Sequence, residues 1–373
     1  MSAFSTLPLL PALLESLNTF GFTHQTDIQA QTIQALIDDK SLVGVSETGS
    51  GKTLAYVLPM LHKLKTLELN GSPVSKNGHP RGLVLVPGRE LGVQVSKVFK
   101  SLTHTTRVRV RVALGGSKKK VSRRNVAGAF EVLVATPGRL KQLVASGEVS
   151  LDDVRTLVFD EADQMLDPSF LPVAKALLRA CPKDVQLVLF SATLSEDMEG
   201  VVHGLFRTPP LLIRTRGSQR VVSTLRTVHK QISSHHRYET LVETIAPEPE
   251  ISTMVFVNTR DQMEKLGKYL KGENIAFTSY RGQMEHQERK ANLAQFRKGE
   301  VFLLLTTDLG GRGLDIERVE RVINVHLPQT MDNYLHRVGR TARAGRSGVV
   351  VNLVTQRDRP LIDKLDKRAG RKK

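Results

Sequence analysis

The chain has 373 residues, 40% of them hydrophobic and 24% charged, which is the composition of a soluble globular protein; no apolar run approaches the ~20 residues that a bilayer crossing needs. A single cysteine, Cys181, excludes an intrachain disulfide framework, argues against a structural zinc site and suits a reducing cytosol. The 54 Lys and Arg against 37 Asp and Glu leave a formal charge of +17 and point to a polyanionic partner, nucleic acid first, with the stretch after residue 210 the more basic.

In chain order, MSAFSTLPLLPALLESLNTF has no basic leader, and its leucine spacing predicts a capped amphipathic helix in place of a secretion signal. Short β-branched runs then recur: SLVGVS, GLVLVP, VRVRVAL, EVLVAT, TLVFDEA and QLVLFSAT, with helical patterns between most of them, as in a parallel α/β sheet. RTPPLLIRTRGSQR, punctuated by proline and without sustained period, predicts a linker. A second series follows in TMVFVNT, IAFTSYR, VFLLLTTD, RVINVHLP and GVVVNLV, so two α/β domains are expected in tandem. The boundaries expected are 1–207, a linker at 208–224, a second domain at 225–358 and a basic tail at 359–373, where DKLDKRAGRKK reads as a frayed helix plus tail.

Directly after the first strong strand comes SETGSGKT, which fits the P-loop pattern except that Ser46 replaces its first glycine. Ser46, Glu47, Thr48, Gly49, Ser50 and Gly51 form the turn; Gly49 and Gly51 let its backbone N–H groups face a phosphate, with the positive end of the next helix behind them. Lys52 adds a point charge for the outer phosphates and Thr53 a hydroxyl for Mg²⁺. In VRTLVFDEADQML an apolar strand ends at three carboxylates, Asp160, Glu161 and Asp163, whose mutual repulsion calls for a compensating cation. Asp160 at the strand end is the Mg²⁺-binding arrangement of nucleotide hydrolases, and Glu161 is placed to activate water.

With Asp160-Glu161-Ala162-Asp163 spelling D-E-A-D, the sequence closely resembles the DEAD-box RNA helicases of superfamily 2 over nearly its whole length. The resemblance implies two tandem RecA-like domains and use of ATP with Mg²⁺. GFTHQTDIQ is similar to the family's Q motif, which implies that Gln29 reads adenine with Phe4 as the upstream aromatic. SAT at Ser191, Ala192 and Thr193 resembles the coupling motif, and its hydroxyls are expected on Asp163. In YLHRVGRTARAGR the resemblance assigns Arg340 and Arg343 to the γ-phosphate as catalytic fingers supplied by the second domain, and His336 to coupling. TTDLGGRGLD resembles motif V: Asp315 is implied for the ribose, Arg312 for the interface ion pairs, Thr307 with Asp308 for placement near RNA.

Four further stretches end strands, where ligands of open α/β sheets gather, and give Arg89, the amides of Gly115 and Gly116, Thr136, Arg139 and Arg260 as backbone phosphate donors. With 5% aromatics and no Trp, base stacking is a weak basis for binding, so RNA is expected to be held through its backbone, independent of sequence and sensitive to salt. In TTRVRVRVAL, Arg107, Arg109 and Arg111 alternate with valines, which predicts a strand with one buried and one cationic side; the arginines read either as a solvated face or as part of the RNA path. Gly88 stands where the family has threonine, Gln25 and Gln34 where prolines are common, which should loosen the Q-motif loop, and Arg281 and His286 also depart from the pattern.

The expectation is a monomeric, cytoplasmic, ATP-dependent RNA helicase that closes on RNA to unwind short duplexes or remodel RNA–protein complexes, with target choice left to a protein partner or surface patches. A DNA-directed superfamily 2 helicase and a slow-turnover RNA clamp are the alternatives.

Overall fold

Strands such as Leu42–Val45 and Leu303–Thr307 are apolar on both faces, and such strands are stable only where helices cover both sides of the sheet. The computed structural model describes residues 2–47, 49–116, 119–167, 170–194, 196–215, 225–281, 284–308, 316, 319–342 and 347–368. The chain separates into two units, Met1–Ser218 and Gln219–Lys373.

In the first unit seven parallel strands, β1 (Leu42–Val45), β2 (Gly82–Leu85), β3 (Val110–Ala113), β4 (Val132–Ala135), β5 (Thr156–Asp160), β6 (Gln186–Ser191) and β7 (Leu211–Arg214), lie in the order β3-β4-β2-β5-β6-β1-β7. Helices α1 (Pro11–Thr19), α2 (Asp27–Ile37), α3 (Lys52–Leu69), α4 (Arg89–Thr106), α5 (Lys119–Asn125), α6 (Pro137–Ala145), α7 (Ala162–Met165), α8 (Leu171–Arg179) and α9 (Glu196–His203) connect and cover them. Alternation along the strands divides the core into two clusters: Val158 and Phe190 join Leu58 and Phe99 in one, while Leu157, Phe159 and Leu189 join Phe130 and Met165 in the other.

The second unit is a six-stranded parallel sheet of β8 (Leu225–Gln231), β9 (Thr253–Val257), β10 (Thr278–Tyr280), β11 (Leu303–Thr307), β12 (Arg321–Asn324) and β13 (Gly348–Val354), in the order β10-β11-β9-β12-β13-β8. Its helices are α10 (Arg237–Ile245), α11 (Arg260–Gly272), α12 (His286–Lys298), α13 (Met331–Val338) and α14 (Arg359–Arg368). Both units are thus parallel sheets flanked by helices, the RecA-like architecture expected. Among the described residues no helix is long and apolar enough to cross a membrane.

Four local expectations are revised. Within the expected linker 208–224, Leu211–Arg214 is strand β7, paired with β1 at the sheet edge; its two exposed leucines reflect an edge position. The expected tail at 359–373 contains α14, which buries Ile362 and Leu365 in the second core. The alternating arginines do not share one strand: Arg107 ends α4 in the left-handed conformation, and Arg109 pairs with buried Glu131 at 2.5 Å, leaving Arg111 exposed on β3. Finally, α1 forms with Pro11 in its first turn but has no side-chain cap.

Candidate active site and nucleic-acid track

The β1 strand is extended by the Ser46 amide, which donates to the Ser191 carbonyl at 3.1 Å, so Ser46 sits at a strand end where no glycine conformation is required. The turn itself is made by Gly49 (φ 83°) and Gly51 (φ 92°), values open to glycine at little cost. A Cβ on Gly51 would also lie 2.4 Å from Gln29 Nε2. That amide donates to the Gly51 carbonyl at 3.0 Å while Gln29 Oε1 accepts from the Thr26 amide at 2.9 Å, so one carboxamide ties the start of α2 to the loop.

Lys52 opens α3 and folds back over the turn, its Nζ donating to the carbonyls of Ser46 (2.5 Å) and Glu47 (2.7 Å). Burial lowers its pKa, and the neighbouring Asp160, Glu161 and Asp163 oppose that shift. Ser50 Oγ is shielded from solvent and has no hydrogen-bond partner among the described residues, which suits a loop built around a polar ligand. Phe4, on a short 3₁₀ turn, is buried, and its amide donates to Thr23 O at 3.1 Å. Gln25 does not loosen this region: its amide donates to Ser2 O and its side chain to Ala3 O, both at 2.8 Å, and the first of these bonds needs an N–H that proline lacks.

Asp160 ends β5 with 3% of its surface exposed. Its Oδ2 accepts from Tyr56 OH at 2.8 Å and its Oδ1 from the Glu161 amide at 3.0 Å. Burial, and then the charge on Glu161, push the carboxyl up to about 6, despite Lys52. Glu161 is held in the left-handed conformation (φ 54°, ψ 52°), a strained state for a residue with a Cβ that costs about 1–3 kcal/mol, and Gln164 Nε2 donates to its carboxylate. The expected hydroxyl contacts divide: Thr193 Oγ1 donates to Asp163 Oδ2 at 3.3 Å, whereas Ser191 Oγ donates to the Thr193 carbonyl at 2.6 Å. A buried carboxyl held above its ordinary range, with Thr53 in the first turn of α3, fits Mg²⁺, which accepts one or two protein oxygens and completes its shell with phosphate and water.

At the ends of β2, β3 and β4 a second cluster forms. Arg89 Nη1 donates to Gly115 O at 3.2 Å, and the Gly115 amide to the buried Thr136 Oγ1 at 2.9 Å; Gly116 follows at φ 78°, exposed, with Arg139 partly exposed on α6. In the second unit Arg260 and Arg281 both donate to Glu264, at 2.8 and 3.1 Å, so the Arg281 departure enters an ion-pair cluster beside the strand end of β9.

The cation best held in this unit is Arg337, 1% exposed. It makes a bidentate pair with Asp308 (2.5 and 2.8 Å), donates to Asn258 Oδ1 (2.7 Å), Asn324 Oδ1 (3.1 Å) and His326 O (2.6 Å), and lies over the Phe256 ring. It thereby fastens the loops after β9, β11 and β12 together, and Asp308 is committed to it. Arg340 is buried with Nε donating to His336 O at 3.2 Å, and His336 is buried as well. Thr307 closes β11, half-buried. Thr48, Arg312, Asp315 and Arg343 lie outside the described residues. Sequence reasoning missed Tyr56, Gln164 and Asn258; only the helical spacing from Lys52 to Tyr56 and from Glu161 to Gln164, which puts each pair on one side of a helix, signalled the first two.

With this geometry in hand, comparisons with known proteins agree on one family. Residues 26–201 match the DEAD/DEAH box helicase family and residues 236–345 the helicase conserved C-terminal domain. An ATP-dependent rRNA helicase, rrp3 of Aspergillus fumigatus, is 34% identical over 99% of this chain and 77% of its own length. The DEAD-box ATP-dependent RNA helicase CshA of Geobacillus kaustophilus is 30% identical over 100% and 78%. Among solved structures, S. cerevisiae Dbp5 bound to RNA and ADP BeF3 superposes with a TM-score of 0.86 at 27% identity, covering 100% of this chain and 95% of that one. Neither the DNA-directed nor the clamp alternative is favoured by these relatives.

Proposed function

We propose a division of labour for a chain that belongs to the DEAD/DEAH box helicase family, as an ATP-dependent RNA helicase and RNA-dependent ATPase. Gln29 and Phe4 hold the adenine, the amides of the 46–53 turn and Lys52 hold the phosphates, and Asp315 meets the ribose. Lys52 exchanges the Ser46 and Glu47 carbonyls for phosphate oxygens, a stronger charge-assisted pairing. Glu161 accepts the proton of the attacking water, with Gln164 fixing its carboxylate. Thr53 and Asp160 would hold Mg²⁺, which would neutralise charge on the phosphates.

Arg340 and Arg343 act as fingers on the γ-phosphate, so that hydrolysis follows closure of the two units on RNA. Asp163 with Thr193, and Arg312 with His336, link the nucleotide state to the RNA contacts. Arg89, Gly115, Gly116, Thr136, Arg139, Arg260 and Thr307 meet the RNA backbone, which carries no sequence information. A cytoplasmic monomer whose targets are chosen by a protein partner completes the reading, supported by the buried, unpaired Cys181 and the net charge of +17.

The observation that carries the proposal is the buried cluster of Lys52, Tyr56, Asp160, Glu161 and Gln164 behind a glycine-built phosphate turn. Strand displacement tests it: a short RNA duplex should separate only with ATP and Mg²⁺, and Lys52→Ala should abolish separation. Separation without ATP, or undiminished in the variant, would refute it.

A further inference from the structure

Leaving out β7, the strand order of the first unit, β3-β4-β2-β5-β6-β1, is repeated strand for strand by β10-β11-β9-β12-β13-β8. Registers carry the match to single residues. Gly82 of β2 faces Thr156 of β5 as Thr253 of β9 faces Arg321 of β12. Thr156 faces Gln186 as Arg321 faces Val349, and Ser191 faces Val45 as Val354 faces Gln231. Five residues beyond Thr156 is Glu161, and five beyond Arg321 is His326. Lys52 is the first residue of the helix after β1, and after β8 a 3₁₀ turn, Ser234–His236, leads into α10 at Arg237. The loop 232–236 therefore stands where the phosphate turn stands in the first unit.

A cleft of about 880 Å³ opens at that position, at the carboxyl ends of β8, β12 and β13, lined among others by Ser233, Ser234, Arg237, His326, Gln356 and Arg357. In open α/β sheets this edge is where ligands bind. None of its lining residues is a carboxylate. Arg237 donates to the carbonyls of Val325 and Leu353 and makes no ion pair among the described residues. Asp358, beside the cleft, spends Oδ2 on the Thr355 amide and hydroxyl, at 2.8 and 2.6 Å. His326 Nδ1 is shielded from solvent with no hydrogen-bond partner among the described residues. The 3₁₀ turn Ser234–His236 runs into the amino end of α10, and no side chain caps that end. Burial, then the Arg237 charge, hold the His326 imidazole down at about 4, the direction expected where cations outnumber acids.

We propose that this cleft is a second, metal-independent binding site for a phosphate or diphosphate group, the positional counterpart of the P-loop, with Arg237 and Arg357 as its donors. It binds without hydrolysing: His326 replaces the water-activating Glu161, and no carboxylate lines the cleft to hold a cation. Phosphate from a nucleotide and free phosphate share the chemistry.

Calorimetry with inorganic pyrophosphate on the full chain, in EDTA, tests it. The wild type should bind two pyrophosphates, and Lys52→Ala should retain one. Arg357→Gln, an exposed position outside the catalytic machinery, should weaken the second site roughly ten-fold or more, the loss expected for a charge-assisted hydrogen bond, while leaving RNA-stimulated ATPase unchanged. Arg237→Gln should do the same to binding, with circular dichroism reporting its fold. Displacement of the second pyrophosphate by ADP would assign a nucleotide as the source, and displacement by inorganic phosphate alone would assign free phosphate; either supports the site. One bound pyrophosphate in the wild type, or two in both arginine variants, overturns it.

Discussion

Gly51 and Glu161 both sit at positive φ, but only one of them is a residue that enjoys it. Gly51 makes the turn, and a side chain there would meet both its own backbone and Gln29. Gly51→Ala should therefore lower ATP affinity by about ten-fold or more while the fold survives, because the strain of about 1–3 kcal/mol falls on the loop; equilibrium binding of ATP checks this. Gly88 is the opposite case. Its φ is −139° and a Cβ would approach nothing closer than Glu90 at 3.9 Å, so Gly88→Thr should raise stability by about 0.4–1 kcal/mol in urea unfolding, chiefly by restricting the unfolded chain. The glycine turn at 46–53 and the clustered acids were legible in the sequence because their spacing is local. Sequence alone could not reveal that Gln29 bonds to Gly51 or that Tyr56 bonds to Asp160, since these partners are 22 and 104 residues apart.

Elements read best where composition was extreme. The eleven runs rich in β-branched and aliphatic residues all became strands, most of them buried on both faces as only an apolar run can be; β3, at the sheet edge, keeps Arg111 exposed. β7 and β8 escaped, and both are edge strands whose polar residues, such as Arg214 and Lys230, hide the pattern. At the basic end a helix was legible but its packing was not, for the same reason: α14 carries its apolar residues at Leu361, Ile362 and Leu365 among many charges. Leu365→Ala should cost about 2–4 kcal/mol by thermal or urea unfolding if α14 is part of the core, against a few tenths for a solvated tail. The loop after β12 gives a pH-dependent prediction. An unfolded imidazole titrates near 6.5 and the folded His326 at about 4, so between those values the unfolded chain binds the extra proton and stability falls as pH falls. The loss should be on the order of 2–3 kcal/mol and absent above pH ~7. Urea unfolding from pH 7.5 to 4.5 should show a shallower acid slope in His326→Gln than in the wild type; equal slopes would contradict it.

At the scale of the molecule, each unit supplies a different kind of charge. The first concentrates buried carboxylates around one lysine, and the second buries a guanidinium, Arg337, fastened to Asp308 and Asn258. The RNA backbone contacts proposed above predict that affinity falls steeply with salt, by roughly one power of salt concentration per phosphate engaged. The family and the fold were evident from motif order, while the Arg337 clasp and the repeated sheet order needed the structure, because both depend on strands brought together from distant parts of the chain. The most direct measurement is steady-state ATP hydrolysis with Mg²⁺, with and without single-stranded RNA, in the wild type and Glu161→Gln. A low basal rate that rises and saturates with RNA, less so with matched DNA, and that falls by about 10² or more in the variant is the expected result. Turnover independent of RNA, or preserved in Glu161→Gln, would contradict it.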